Sequence, residues 1–272
     1  MRRSHRAAAI VAALALAATA CGGDDDGDNG GDGDAASTED LALTTDGTLT
    51  VCSEVPYEPF EFEDPDSETG YAGFDIDLMA AIAETAELDM AVVNTGFEGL
   101  TSGATMAAGT CDIAASAMTI TEERAENVDF SDPYYDASQS LLVPTDSDIS
   151  TIDDLTEGVT LGVQSGTTGE AYAEENAPGA ELRAFEAGGD LFTALTAGQI
   201  DAILQDLPVN EAAAERDDSV EVVEEYDTGE SYGFAMEKDR DDNLAQVIND
   251  GLQQVRDDGT YDELFDMYFG VT

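Results

Sequence analysis

Ser116–Tyr135 reads SAMTITEERAENVDFSDPYY, which sets small hydroxyl-bearing residues and one arginine close together in an otherwise acid-saturated chain. The run leading into it, DIAASAM (Asp112–Met118), is short, apolar and bounded by Gly109 and Thr119, the pattern of a buried parallel strand. Thr121 followed by Glu122 and Glu123 is an N-cap signature, so a helix starts there and Arg124 falls in its first turn. Ser116 and Thr119 at a strand end, with backbone N–H groups around them and a guanidinium close by, form a ready anion site, because arginine offers paired donors to a planar carboxylate. The plain alternative for Arg124 is a surface salt bridge. With 61 acidic residues against 9 basic ones, a cation is scarce enough here to weigh toward a site.

Working outward, LTVCS (Leu49–Ser53) is a strand, and EVPYEPFEF after it is an aromatic-rich loop stiffened by two prolines. A helix over Phe74–Glu87, a strand over Met90–Thr95 and a helix over Phe97–Gly109 lead to the strand at Asp112. This alternation predicts a parallel sheet covered on both faces, with ligands outside the carboxyl ends of its strands. Glu54, Phe60, Phe97 and Ser116 then surround one crevice. After QSLLVP (Gln139–Pro144) the same alternation restarts: helix STIDDL, strand VTLGVQ, helix TTGEAYAEENA, strand ELRAFEA, helix GDLFTALTAGQ and strand IDAILQDL. The chain returns through VEVVEEY and SYGFAMEK to two closing helices.

The 272 residues suffice for one large or two medium domains. MRRSHR, the apolar run AAAIVAALALAA and the small residues before Cys21 resemble a bacterial lipoprotein signal. This implies cleavage before Cys21, lipidation of its thiol and tethering to the outer face of the cell membrane. The following GGDDDGDNGGDGDAASTED reads as a flexible, self-repelling tether rather than a calcium loop, since the glutamate that closes such a loop is missing. Removing the leader takes Arg2, Arg3 and Arg6 and leaves Arg124, Arg183, Arg216, Lys238, Arg240 and Arg256 as the cations. A formal net charge of -52 rules against nucleic acid or an anionic membrane surface as partner and points to a high-salt habitat, where self-repulsion is screened.

The Ser116–Tyr135 segment resembles the signature of the amino-acid-binding proteins of ABC importers, as do PYEPFEF, GFDIDLMAAIA, LGVQSGTTGEAY, IDAILQDLPV, SYGFAM and DGTYDELFDMYFG in the same order. The resemblance implies a two-lobed α/β fold of the periplasmic-binding-protein type II. Each lobe is then a parallel-rich sheet flanked by helices, with two hinge strands joining the lobes and the ligand between them. The expected organisation is a signal peptide at 1–20, a tether at 21–46, a first lobe of 47–142 with 232–272, and a second lobe of 143–231. It further implies a monomer that binds a free amino acid outside the cell and hands it to a permease, with no cofactor or metal and with the membrane touched only through the N-terminal lipid.

By the same resemblance Arg124 takes the ligand carboxylate, helped by Thr119 and the Thr168 N–H, with Thr167 and Gly166 shaping that turn. Asp206 and the Ala117 carbonyl take the ammonium, Phe60 and Phe97 sandwich the aliphatic part, and Glu54, Tyr57 and Glu58 set side-chain preference, with basic or other polar side chains expected. It also puts Cys52 late in one strand and Cys111 at the start of a neighbour, an offset that strains a disulfide and leaves their pairing open. The alternative of another class is an enzyme, since relatives on this fold dehydrate cyclic precursors of aromatic amino acids with an acid such as Glu54 or Glu58. The one histidine, His5, lies in the leader, so the remaining chain can assemble neither a Cys–His nor a Ser–His–Asp constellation.

Overall fold

The computed structural model describes residues 41–270, so the leader, Cys21 and most of the expected tether lie outside the described residues. The first half contains β1 (Thr48–Ser53), β2 (Phe62–Glu63), β3 (Tyr71–Ala72), α1 (Phe74–Thr85), β4 (Asp89–Asn94), α2 (Phe97–Thr101), α3 (Ala104–Ala107), β5 (Ile113–Ala114), α4 (Glu122–Ala125) and β6 (Val128–Phe130). Next come β7 (Tyr135–Pro144), a 3-10 turn over Ile152–Asp154, β8 (Thr160–Gln164), α5 (Thr168–Asn176), β9 (Glu181–Phe185), α6 (Gly189–Thr196), β10 (Ala202–Asp206) and α7 (Leu207–Arg216). The chain closes with β11 (Val220–Tyr232), β12 (Ala235–Glu237), α8 (Leu244–Asp257) and α9 (Thr260–Phe269).

Two five-stranded sheets result, ordered β4-β1-β5-β12-β6 and β11-β7-β10-β8-β9, and each anchors one lobe. In the first, β1 pairs in parallel with β4 and β5, while β12 runs antiparallel to β5 and β6. In the second, β8 is parallel to β9 and β10, and β7 is antiparallel to β10 and β11. The strands that pair in parallel need crossover helices, which the helical stretches between them supply. In α8 the residues Leu244, Val247, Ile248, Gly251, Leu252 and Val255 recur at helical spacing and are buried. Gly251 is required there because a Cβ would meet the side chains of Thr85 and Ile82 on α1.

Two antiparallel passages connect the sheets. The chain leaves the first through β6 and enters the second at β7, then returns through β11 and β12. Backbone bonds Tyr134 N to Tyr232 O and Ser131 N to Phe234 O, each 2.9 Å, tie the passages together. Because β7 is hydrogen-bonded in the second sheet from Tyr135 on, the expected crossover between residues 142 and 143 falls inside a strand, not ahead of it. The expected tether also ends earlier than residue 46. Leu41 and Leu43 pack on the core, and Thr44 donates through both its N–H and its hydroxyl to Asp112.

Two further expectations need correction, and one question left open is settled. The helix over Phe97–Gly109 is two short helices, because Gly103 adopts φ 71° and ends the first turn sequence. The expected strand Asp112–Met118 keeps ladder pairing only over Ile113–Ala114, and Ala117 turns to φ 43°. Cys52 and Cys111 are bonded, with Cα atoms 5.8 Å apart. The register offset is real, since Cys52 pairs with Ala114, but Cys111 precedes its strand in the incoming turn and so swings back within reach.

Candidate functional site

The sheets' carboxyl ends and the loops after them face each other across a small, tightly closed cavity. Glu54 follows β1, Phe97 opens α2, and Ser116, Ala117 and Thr119 follow β5, with Arg124 on α4. From the second lobe come Gln164 at the end of β8, Thr167 and Thr168 at the start of α5, and Asp206 at the end of β10. Tyr57 completes the lining.

Arg124 is buried, and its Nη1 donates to Thr119 O at 2.9 Å while its Nη2 donates to Gly166 O of the second lobe at 3.0 Å. Its guanidinium carbon lies 5.1 Å from the centroid of the Phe97 ring. Burial lowers the Arg124 pKa, and the nearby Asp206 and Glu230 carboxylates oppose that. Two bonds leave further guanidinium donors for a carboxylate. Thr167 caps α5, accepting from Glu170 N at 3.1 Å, and thereby places Thr168 at the first helical position, where the dipole favours an anion.

Asp206 is the opposite pole. Its Oδ2 accepts from the Tyr57 hydroxyl at 2.8 Å and the Tyr232 hydroxyl at 2.6 Å, and its Oδ1 accepts from Gln139 Nε2 at 2.6 Å. Burial pushes its pKa up to about 6, and the hydroxyl donors hold it from rising further. A cation placed here would meet a desolvated, oriented carboxylate. The arrangement of Arg124 at one pole and Asp206 at the other, with Tyr57 and Phe97 on the walls, suits a zwitterion carrying an aliphatic stem.

Three expected residues, Phe60, Gly166 and Glu58, fall outside the cavity lining. Phe60 is fully buried behind the cavity, packed edge-on to Phe74, Tyr135 and Tyr232 at centroid distances of 6.3, 5.2 and 5.3 Å. It is core, and Tyr57 on the same loop, half-buried, supplies the aromatic face that lines the cavity. Gly166 borders the adjoining open clefts instead of the cavity, touching the site through the carbonyl that Arg124 holds.

Glu54 is buried. Its Oε2 accepts from Phe97 N at 3.0 Å and Gln164 Nε2 at 2.8 Å, and its Oε1 from Gln164 Nε2 at 2.9 Å and Gly188 N at 3.1 Å. Gln164 and Gly188 belong to the second lobe, so this carboxylate links the lobes. Desolvation nevertheless raises its pKa. Glu58 contacts Arg216 across the same divide and lines no part of the cavity.

Sequence reasoning missed Gln164, Gln139 and Glu230. Gln164 was findable as a polar residue at a strand's carboxyl end. Glu230 follows a register shift in β11 and accepts from the Thr119 and Thr168 hydroxyls, each at 2.8 Å, an arrangement that pattern alone does not reveal.

A two-lobed α/β molecule with a charged, aromatic-walled cavity between its sheets belongs to the class of solute-binding proteins that enclose a small ligand in a cleft. The chain belongs to the bacterial extracellular solute-binding proteins, family 3, which it matches over residues 49–271. It is 36% identical to the ABC transporter glutamine-binding protein GlnH of Bacillus subtilis over 71% of each chain. An ancestral arginine-binding protein bound to glutamine superposes with a TM-score of 0.76 at 35% identity, over 84% of this chain and all of that one. An ancestral amino acid-binding protein described as a precursor of cyclohexadienyl dehydratase gives 0.75 at 39% identity, over 82% and 96%. Among the described residues no helix is long and apolar enough to cross a membrane.

Proposed function

We propose that this protein binds a free amino acid with a polar or basic side chain outside the cell and delivers it to the permease of an ABC transporter. The observation that carries this is the placement of Arg124 and Asp206 within one buried cavity walled by Tyr57 and Phe97. Arg124, Thr119, Thr168 and the turn of Gly166 and Thr167 take the α-carboxylate; Asp206 and Ala117 take the ammonium, and Ser116 supports that wall. The lobes pivot about the paired passages at Ser131–Tyr134 and Tyr232–Phe234, and side chains such as Glu54 hold the closed form. The chain acts as a monomer, anchored through a lipid on Cys21 with a short acidic tether, in a high-salt setting.

The likeness to a dehydratase precursor favours one second reading, an enzyme acting on a cyclic acid. Glu54 would be its candidate acid, yet its oxygens already accept four N–H contacts. A thermal-shift screen of amino acids in molar salt, with a chemical assay of every hit, separates the two. Ligand recovered unchanged supports binding, and consumption of a cyclic acid supports the enzyme.

A further inference from the structure

We propose that Glu61 and Asp75 share one proton behind the cavity and, as an acid pair, position Ser116 and Ala117 for ligand binding. This rests on the amino-acid-binding reading, which it deepens. Glu61 follows Phe60 in the aromatic loop and Asp75 lies at the start of α1, and both are wholly buried. Glu61 Oε1 accepts from the Ser116 hydroxyl at 2.7 Å, and that hydroxyl in turn accepts from Glu54 N at 3.0 Å. Asp75 Oδ2 accepts from Ala117 N and from the Tyr134 hydroxyl, both at 2.7 Å. Ala117 stands at φ 43°, a left-handed conformation that a side chain resists, and the Asp75 carboxylate holds its N–H there. Two consecutive wall residues are thus fixed from behind by the two carboxyls of the pair.

The other oxygen of each carboxyl, Glu61 Oε2 and Asp75 Oδ1, is buried with no partner. Two ionised carboxylates in this position would repel each other and leave both oxygens unsatisfied. Asp75 N donates to Phe60 O at 3.0 Å, which sets Asp75 beside Glu61, and one proton shared between the two carboxyls would relieve the repulsion and give their orphaned oxygens a partner. The groups facing the pair are Glu54, Asp206, Tyr57 and Tyr134, none of them cationic. Burial pushes both carboxyls up, Asp75 to about 7 and Glu61 well above its ordinary value, so the pair as a unit keeps a proton that exposed carboxyls would have lost.

The test uses the full chain and L-arginine as probe. Infrared spectra of the wild type at about pH 7 show a protonated carboxylic acid that is lost in Glu61→Gln. In the wild type the L-arginine Kd rises by up to about tenfold per pH unit once the shared proton leaves, while Glu61→Gln, whose amide donates to Asp75 permanently, binds equally well at both ends of the range. Asp75→Asn flattens the profile in the same way. A packing role alone would leave the profile unchanged. The proposal is overturned if the wild type carries no protonated carboxyl at that pH, or if both variants fold and keep the wild-type pH dependence. Should a variant fail to fold, wild type labelled with carbon-13 in glutamate, in a Glu54→Gln background, gives the infrared readout unaided. If no amino acid binds, the transport reading fails, while the infrared band and the pH dependence of unfolding still decide the pair.

Discussion

Asp206→Asn should make the protein more stable and a poorer binder at once. The folded environment moves the carboxyl from 3.8 to about 6, chiefly by burial, and the side chain is only 8% exposed, so little solvent screening discounts the cost. That displacement corresponds to ~3 kcal/mol of differential interaction. The sign follows from linkage. Below the unfolded pKa both states hold the proton and the raised pKa is harmless; between about pH 4 and pH 6 the unfolded state ionises while the folded state keeps its proton, so stability falls, and the loss levels off once the folded carboxyl ionises. Asparagine removes that ionisation. Its carbonyl still accepts from Tyr57 and Tyr232, and its amide can donate to Gln139 Oε1, now a buried acceptor without a partner, once that amide flips. Urea unfolding of ligand-free protein should therefore show the variant gaining on the wild type between about pH 4 and pH 6, reaching a plateau of at most ~3 kcal/mol. Calorimetric titration should show affinity falling by about 30-fold or more, as when one partner of a desolvated charge pair is removed. A variant that is less stable than wild type at pH 8, or a stability difference that ignores pH, refutes the reasoning.

Glu54→Gln turns an acceptor into a donor facing Gln164 and the N–H groups of Phe97 and Gly188, and should cost about 2 kcal/mol or more of lobe closure, read as a larger radius of gyration in small-angle scattering of ligand-loaded protein. Replacing Cys52 and Cys111 together by alanine opens a loop spanning a sequence separation of 59 and should lower stability by ~4 kcal/mol, measured by urea midpoint, with ligand specificity unchanged. The formal net charge of -52 predicts that the thermal midpoint rises steadily from dilute buffer to about 2 M salt, and a midpoint highest in dilute buffer would contradict the high-salt reading.

Much of the site was legible because its residues sit where secondary structure begins or ends. Arg124 and Thr168 lie in first helical turns, Asp206 closes a strand, and Phe97 opens a helix, so pattern and placement coincide. Phe60 and Tyr57 share one loop, and only packing against Phe74, Tyr135 and Tyr232 decides which ring lines the cavity. Glu54 lines the cavity, but its hydrogen bonds depend on Gln164 and Gly188, more than a hundred residues away. The Glu61–Asp75 pair and Glu230 were not visible at all, since their partners come from separate loops and strands that meet only in the fold. At the level of elements, the alternation of strand and helix carried the architecture. Short breaks such as Gly103, and the point at which β7 joins the second sheet, depended on tertiary pairing.

The most direct test of the central claim is calorimetric titration of the protein in molar salt with L-arginine, L-lysine and L-glutamine, repeated on Arg124→Ala. Saturable one-to-one binding of at least one of them, abolished in the variant while its unfolding transition stays cooperative, is the predicted result. No heat with any of the three, or binding that survives loss of Arg124, would contradict it.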